Sequence, residues 1–119
     1  MSAPNLLTSS SVVGKTAYAT LATTTANVIT NATGSNTCAK VENIILTNST
    51  NATVTANVTA NRSSTNYYLG GNIGIPGYST LVLLGKDTSI YLEEGDTLQA
   101  NASSSGAITL SIGYELISV

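Results

Sequence analysis

Residues 52–60, ATVTANVTA, alternate small apolar side chains with threonine and asparagine over almost their whole length. Read with a period of two, the apolar residues fall on one side: Val54, Ala56, Val58 and Ala60. The polar residues fall on the other side: Thr53, Thr55, Asn57 and Thr59. Because successive side chains of a strand point to opposite faces, the stretch predicts a β-strand with a core beneath it and water or a partner above it.

The same alternation creates motifs for N-glycosylation, since Asn and Thr two residues apart on a polar face form an Asn-x-Ser/Thr triplet. Triplets of this kind begin at six asparagines: Asn31, Asn48, Asn51, Asn57, Asn61 and Asn101. We interpret them as a by-product of strand patterning. Glycosylation is the alternative interpretation.

Strand-like runs recur along the rest of the chain at intervals of about ten residues. They cover residues 16–21, 27–30, 39–48, 52–60, 66–73, 79–84, 89–92, 97–102 and 107–117. Turn formers such as NATGSN, NRSST, GIPGYS and SSSG separate them, and helical spacing is not evident in any segment. The sequence therefore predicts an all-β fold, an antiparallel two-sheet β-sandwich of the jelly-roll or Ig-like kind with about eight or nine short strands.

The last run predicts the clearest core strand. Its inward residues are Ile108, Leu110, Ile112 and Tyr114. We predict that it pairs with residues 97–103, TLQANAS, through an SSSG hairpin in which Gly106 takes a positive φ. The inward residues of that partner are Leu98, Ala100 and Ala102. Residues 81–84, LVLL, are apolar on both faces, which predicts cover by a second sheet and by a loop or another subunit.

The first fifteen residues, MSAPNLLTSSSVVGK, differ from the rest because small apolar pairs are separated by hydroxyl residues. We predict an extended N-terminal arm over 1–15 and a single β-sandwich domain over 16–119. The arm is either a frayed terminus or a strap that binds a neighbouring subunit. In the second case its partner-binding residues are Leu6, Leu7, Val12 and Val13.

Charge and hydropathy exclude several classes of partner. The 119 residues contain four basic and six acidic side chains, so there is no basic field for nucleic acid or anionic lipid. The N-terminus lacks a basic region followed by an apolar one, and nothing approaches the roughly 18 apolar residues of a membrane span. We expect synthesis in the cytoplasm, no nucleic acid and no membrane.

The small core favours a homo-oligomer, for which three-fold symmetry is our guess.

Catalytic residue types are scarce, so we predict that the protein is not an enzyme and has no cofactor. The chain contains no His, and the single cysteine, Cys38, has no base and no disulfide partner, which predicts a packed, inert thiol. Glu93, Glu94 and Asp96 form the one acidic cluster, in YLEEGDTLQ. We interpret it as a charged hairpin turn. The alternatives are a carboxylate pair for glycoside hydrolysis and a weak Ca²⁺ site.

Tyrosines near Gly70 and Gly71 raise one further alternative, a groove for sugar rings. Its stacking platforms would be Tyr67, Tyr68 and Tyr78, and its first candidate contacts Asn66, Asn72 and Tyr78. Such residues more often form a bulge, a Pro-led turn and packed edges, which is the interpretation we favour.

Three segments carry a resemblance to a known family: GKTAYATLATTTANVITNAT, KVENIILTNSTNATVTANVTAN and IPGYSTLVLLGKDTSIYLEEGDTLQANASSSGAITLSIGYELIS. In their order the chain resembles small virion structural proteins of tailed bacteriophages, especially those of marine cyanobacteria. The resemblance spans nearly everything after the arm, and residues 86–100, KDTSIYLEEGDTLQA, are its most specific part.

The resemblance implies a β-sandwich component of the virion, made in the bacterial host cytoplasm, with no catalytic residues to carry over. The expected function is that of a capsid decoration or cement protein, which binds the major capsid protein lattice and stabilises the shell. A tail, neck or fibre accessory protein, binding other virion proteins, is the alternative. A glycan-binding adhesion module is the second alternative.

Overall fold

The computed structural model describes residues 11–85 and 89–118, and this part of the chain contains nine β-strands. They are β1 (Ser11–Thr20), β2 (Ala26–Thr30), β3 (Thr37–Asn48), β4 (Val54–Arg62), β5 (Thr65–Ile75), β6 (Thr80–Leu84), β7 (Ile90–Leu92), β8 (Thr97–Ala102) and β9 (Ile108–Ser118). Each predicted run overlaps one of these strands. Among the same residues, no helix has the length and apolar character needed to cross a membrane.

The strands form two antiparallel sheets, which confirms the predicted two-sheet sandwich. The five-stranded sheet has the order β1-β9-β3-β6, and β7 pairs with β3 beside β6. The four-stranded sheet has the order β2-β8-β4-β5. Apart from β4 and β5, paired strands therefore come from distant parts of the chain.

The core lies between the inner faces of the two sheets. Its fully buried centre includes Val41, Ile44, Leu46, Val58, Leu98, Leu110 and Ile112. The predicted inward residues of β4, β8 and β9 are confirmed, except that Ala60 and Tyr114 are half-buried. Thr59, predicted to face outward, is nevertheless buried, and it lies opposite Tyr68 on the outer face of the four-stranded sheet.

The predicted hairpin between β8 and β9 is wrong. The two strands belong to different sheets, because both edges of β8 are taken by β2 and β4, and both edges of β9 by β1 and β3. Residues 103–107 instead cross from one sheet to the other. Ser103 N donates to the Thr55 carbonyl at 2.8 Å and Gly106 N donates to the Leu21 carbonyl at 3.0 Å. Gly106 does take the predicted positive φ, 81°.

Strand β1 begins five residues earlier than the predicted strand. Its ten residues pair with β9 from Ser11, opposite Ser118, to Thr20, opposite Thr109. Val12 and Val13 of the predicted arm therefore lie in β1, whereas Leu6 and Leu7 lie outside the described residues. The two valines point to opposite faces and both stay exposed, so no one-sided apolar pattern marked this strand.

The described residues cover the apolar strand β6 on one face only. Leu81 and Leu83 are half-buried against the core, whereas Val82 is 59% exposed on the outer face of its sheet. Cover of that second face by a loop is therefore not seen among the described residues.

Candidate functional site

Arg62, the last residue of β4, forms ion pairs with Glu93 and Asp96, the two ends of the acidic cluster. The Arg62 Nε donates to Asp96 Oδ1 at 2.8 Å, and Arg62 Nη2 donates to Asp96 Oδ2 at 2.6 Å. The same Asp96 Oδ2 accepts the backbone N–H of Glu93 at 2.8 Å. Asp96 is only 3% exposed, so this carboxylate is held by three donors inside the protein.

The environment of the pair fixes its charge state. Burial alone would raise the pKa of Asp96, but the hydrogen bonds from Arg62 and from the Glu93 N–H outweigh burial and hold that pKa below its ordinary value. The hydrogen bond and charge of Asp96 raise the pKa of Arg62 in turn. Both groups are therefore charged at neutral pH, and neither is poised to transfer a proton.

The other two carboxylates of the cluster point to different partners. Glu93 Oε2 accepts from Arg62 Nη2 at 3.1 Å, and Glu94 Oε1 accepts from the backbone N–H of Gly34 at 2.7 Å. Glu94 Oε2 is buried without a hydrogen-bond partner. Within residues 11–85 and 89–118, no group of three or more Asp, Glu, Cys or His side chains is arranged to hold a metal. The turn also connects β7 to β8 across the two sheets, so the predicted hairpin is wrong here as well.

A cavity of about 260 Å³ opens beside this ion pair, and we call it the tyrosine cleft. It lies between the edge strand β5 of one sheet and β7 of the other, with Tyr67 and Tyr91 contributed by these two strands. Its lining residues are Ala60, Asn61, Arg62, Tyr67, Ile90, Tyr91, Leu92 and Asp96. Both tyrosine side chains are exposed, Tyr67 at 57% and Tyr91 at 42%.

The chemistry of the tyrosine cleft suits a small neutral ligand. The charge of Arg62 is offset by Asp96 and Glu93, so the cleft offers no net positive charge to an anion. Tyrosine rings and the remaining guanidinium N–H groups fit an uncharged polyol ring, which has an apolar face and many hydroxyls. The volume is slightly below the roughly 300–1,000 Å³ of drug-sized sites, so we expect space for a single ring.

The outer face of the four-stranded sheet carries a hydrogen-bonded network of amides, which we call the amide face. From the residue before β2 to β5, Asn101 Nδ2 donates to Thr25 Oγ1 (2.9 Å), Asn57 Nδ2 donates to Asn101 Oδ1 (2.9 Å) and Asn72 N donates to Asn57 Oδ1 (2.8 Å). Two further pairs flank this chain, Gln99 to Asn27 at 2.9 Å and Asn61 to Asn66 at 2.7 Å. Arg62, at the end of β4, is the only charged residue in the four strands.

The candidate sugar-contacting residues do not converge. Tyr67 and Tyr68 are neighbours in β5 and point to opposite faces, so Tyr67 lines the tyrosine cleft and Tyr68 lies on the amide face. Tyr78 lies in the turn after β5, 75% exposed, with a positive φ of 54°. Asn66 and Asn72 belong to the amide face. The predicted bulge near Gly70 is confirmed, because the pairing of β4 with β5 shifts register on both sides of Val58.

Tyr91 was missed by sequence reasoning. It is the central residue of the run 90–92, and its neighbours Ile90 and Leu92 are inward-facing. Alternation puts its side chain on the opposite face, and its place in the lining of the tyrosine cleft depends on how the two sheets stack, which local pattern does not encode.

Two of the six glycosylation triplets start at buried asparagines. Asn48 Nδ2 donates to the carbonyls of Ala52 (2.7 Å) and Ile75 (2.9 Å), and its Oδ1 accepts from the N–H and hydroxyl of Thr50. Asn31 is used in the same way: its Nδ2 donates to the carbonyls of Thr37 and Leu92, both at 2.9 Å. These side chains stabilise loops and are inaccessible to a glycosylating enzyme in the folded protein.

Cys38 is buried, as predicted, beside Ile117 of the neighbouring strand. Burial raises the pKa of its thiol, and the charges of Glu93 and Asp96 raise it further. The thiolate, which is the reactive form, is therefore disfavoured at neutral pH.

The described residues thus present two candidate binding surfaces, the tyrosine cleft and the amide face. Both are uncharged overall, apart from Glu93 at the border of the cleft. When the chain was compared with protein-family models and with curated proteins, neither comparison found a match.

Proposed function

We propose that the protein is a non-enzymatic structural component of a bacteriophage particle, a capsid decoration protein that binds the major capsid protein lattice and stabilises the shell. The resemblance in its sequence motivates the class. The observation that supports the proposal is the amide face, a polar surface four strands wide with one charged residue at its border.

The amide face has the properties of a protein contact surface. Burying a charged group without a partner is costly, whereas amides and hydroxyls exchange hydrogen bonds with water for hydrogen bonds with a neighbour at small cost. The cores of protein interfaces are depleted in charge and enriched in tyrosine. Tyr68 meets this description, since it is 67% exposed on the amide face.

The network also keeps the surface rigid. Asn57 donates a hydrogen bond to Asn101, so these side chains are already ordered before a partner binds. Binding therefore costs less side-chain conformational entropy. In our proposal the partner is the major capsid protein, the location is the virion, and synthesis takes place in the host cytoplasm. The tail, neck or fibre remains the alternative location.

The copy number in purified particles tests the proposal. Hundreds of copies per particle, at a fixed ratio to the major capsid protein, are expected for a decoration protein, because it follows the symmetry of the shell. A few tens or fewer would indicate the tail, neck or fibre. Cryo-electron microscopy of the same particles would then locate the copies directly.

A charge on the amide face tests the surface itself. Tyr68→Asp places a carboxylate on the amide face without breaking a hydrogen bond of the network, and we expect it to lower occupancy on particles stripped of the protein. Thr80→Asp, on the outer face of the other sheet, is the matched control. Full occupancy of the Tyr68 variant would show that the amide face is not the contact surface.

Glycan binding is a second candidate function, and the tyrosine cleft is the observation that favours it. In a glycan array we expect binding by the wild type to be lost in Tyr67→Ala and Tyr91→Ala. Tyr78→Ala, which removes an exposed tyrosine outside the cleft, is the control. An array without signal above background for the wild type would end this candidate.

A further inference from the structure

The four sheet edges of the described residues differ in how well they are protected. The β5 edge is interrupted by register shifts and by Asn72 at φ 50°. The β2 edge is five residues long and contains a register shift. The edge next to β3 is split between β6, of five residues, and β7, of three. Bulges and short strands of this kind prevent edges from pairing with other chains.

The β1 edge lacks all of these features. Its ten residues pair with β9 in one unbroken register, from Ser11 to Thr20. The strand contains no proline and a single charged side chain, Lys15. Long, regular and nearly uncharged edges are the ones that pair with a further strand.

The hydrogen-bonding groups on the free edge of β1 follow from its pairing with β9. Leu21 N, directly after the strand, donates to the Ile108 carbonyl at 2.9 Å. Backbone N–H and C=O groups alternate between the two edges of a strand. Those of the odd-numbered residues therefore point toward β9, and those of the even-numbered residues point away from β9, to the free edge. The outward residues are Val12, Gly14, Thr16, Tyr18 and Thr20.

The side chains along this edge are self-complementary. Tyr18 is 74% exposed and Val12 is 55% exposed, both on the outer face of the sheet. Gly14 lies on the same face, and a Cβ added to it would meet nothing within 4 Å. The edge therefore carries an exposed aromatic ring four residues from an open space over a glycine.

We propose that two copies of the protein pair through β1, antiparallel, around a two-fold axis at Thr16. In this register Tyr18 of each copy lies opposite Gly14 of the other, and the ring covers the open space over the glycine. Val12 lies opposite Thr20. Each copy contributes its five outward N–H groups, and the five-stranded sheets join into one continuous sheet.

Charge and length select this register over its neighbours. An axis at Lys15 would place the two lysines directly opposite each other, which is destabilising. An axis at Ala17 would leave Val12 without an opposing residue and shorten the ladder. The axis at Thr16 places Lys15 opposite Ala17, so the like charges are separated and nine residues pair.

This dimer does not depend on the proposed function, because the β1 edge of one copy contacts the β1 edge of the other. It differs from the three-fold assembly that we guessed from the sequence. A closed two-fold pair predicts a dimer in solution, whereas three-fold assembly predicts a trimer.

Sedimentation equilibrium of the full chain provides the first test, with a dimer as the expected mass. Thr16→Lys and Thr16→Glu each place two like charges opposite each other on the axis, and we expect each to raise the dissociation constant by about fivefold or more. Mixing the two variants should restore dimers, because lysine then faces glutamate. Thr80→Lys, on the opposite edge of the same sheet, should leave the dimer unchanged.

Thr16→Pro provides an independent test. Proline is tolerated where the N–H of an edge strand faces outward, so the fold is expected to persist, as a circular dichroism spectrum would verify, while the dimer is lost. A monomer or trimer for the wild type would overturn the proposal. So would a dimer that the proline leaves intact, or like-charge variants that mixing does not rescue.

Discussion

The side-chain amide of Asn48, at the end of β3, donates to the carbonyl of Ile75, at the end of β5, at 2.9 Å. The two strands belong to different sheets, so one buried side chain ties the layers together at this end of the sandwich. In the loop between β3 and β4, the same amide also donates to the Ala52 carbonyl, and its oxygen accepts from the Thr50 N–H.

Removing this amide should destabilise the fold. Asn48→Ala removes the side-chain donor to the buried Ile75 carbonyl and the contacts that hold Thr50, and we expect the free energy of unfolding to fall by about 1–3 kcal/mol. Denaturant unfolding measures the change. Asn51→Ala removes an exposed asparagine from the same loop and should stay within about 0.5 kcal/mol of the wild type. Equal losses in the two variants would contradict the assigned role of Asn48.

The Arg62–Asp96 pair predicts a pH dependence of stability. Because the pKa of Asp96 is lowered in the folded state, its contribution is fully present above the unfolded value of about 3.9 and is lost as the pH falls through the folded value. Urea unfolding between pH 7 and pH 2 should therefore show a loss of stability in acid that is smaller in Asp96→Asn.

At neutral pH the cost of Asp96→Asn is expected to be about 1 kcal/mol, because Arg62 is half-exposed and water screens the pair. Glu42→Gln, which removes a partly exposed partner 3.9 Å from Lys40, is the control and should change the acid limb little. An unchanged acid limb in Asp96→Asn would show that the pair does not set the pH dependence.

Gly77 is expected to be intolerant of any side chain. A Cβ there would lie 2.6 Å from the Asn51 backbone carbon and 2.7 Å from its carbonyl oxygen, so the backbone itself would have to move. We expect Gly77→Ala to cost about 1–3 kcal/mol. In Gly74→Ala the added carbon meets a Thr53 methyl at an ordinary 3.7 Å, so this variant should fold with near wild-type stability in a thermal melt.

Deletion of residues 2–10 tests the predicted arm while leaving all of β1 in place. The sandwich should fold with unchanged unfolding free energy, because β1 begins at Ser11. If Leu6 and Leu7 bind a neighbouring subunit, the shortened protein should lose occupancy on particles. Normal decoration by the deleted form would exclude the strap.

The strand positions could be predicted because alternation depends only on burial of one face. In β8 the buried residues Leu98, Ala100 and Ala102 alternate with exposed or half-buried ones, and the sequence carries that pattern directly. Strand β1 was predicted in part only, since Val12 and Val13 are both exposed and no burial contrast marks its start.

Pairing partners could not be predicted in the same way. Alternation tells which face a residue occupies, but not which strand lies beside it, so the turn SSSG fitted a hairpin as well as a crossing between sheets. The candidate site shows the same limit. The acidic cluster was found, but its dependence on Arg62, thirty-four positions before Asp96, arises only when the strands are assembled.

The pairing of β1 with β9 has a consequence for biosynthesis. Because β9 lies between β1 and β3, neither of these strands can form its pairing with β9 until β9 has left the ribosome. A nascent chain that stops before Ile108 therefore leaves one edge of β3 unpaired, and we expect it to be retained by chaperones. Folding of the whole sandwich is thus expected to be a cooperative event that requires β9 to have been synthesised.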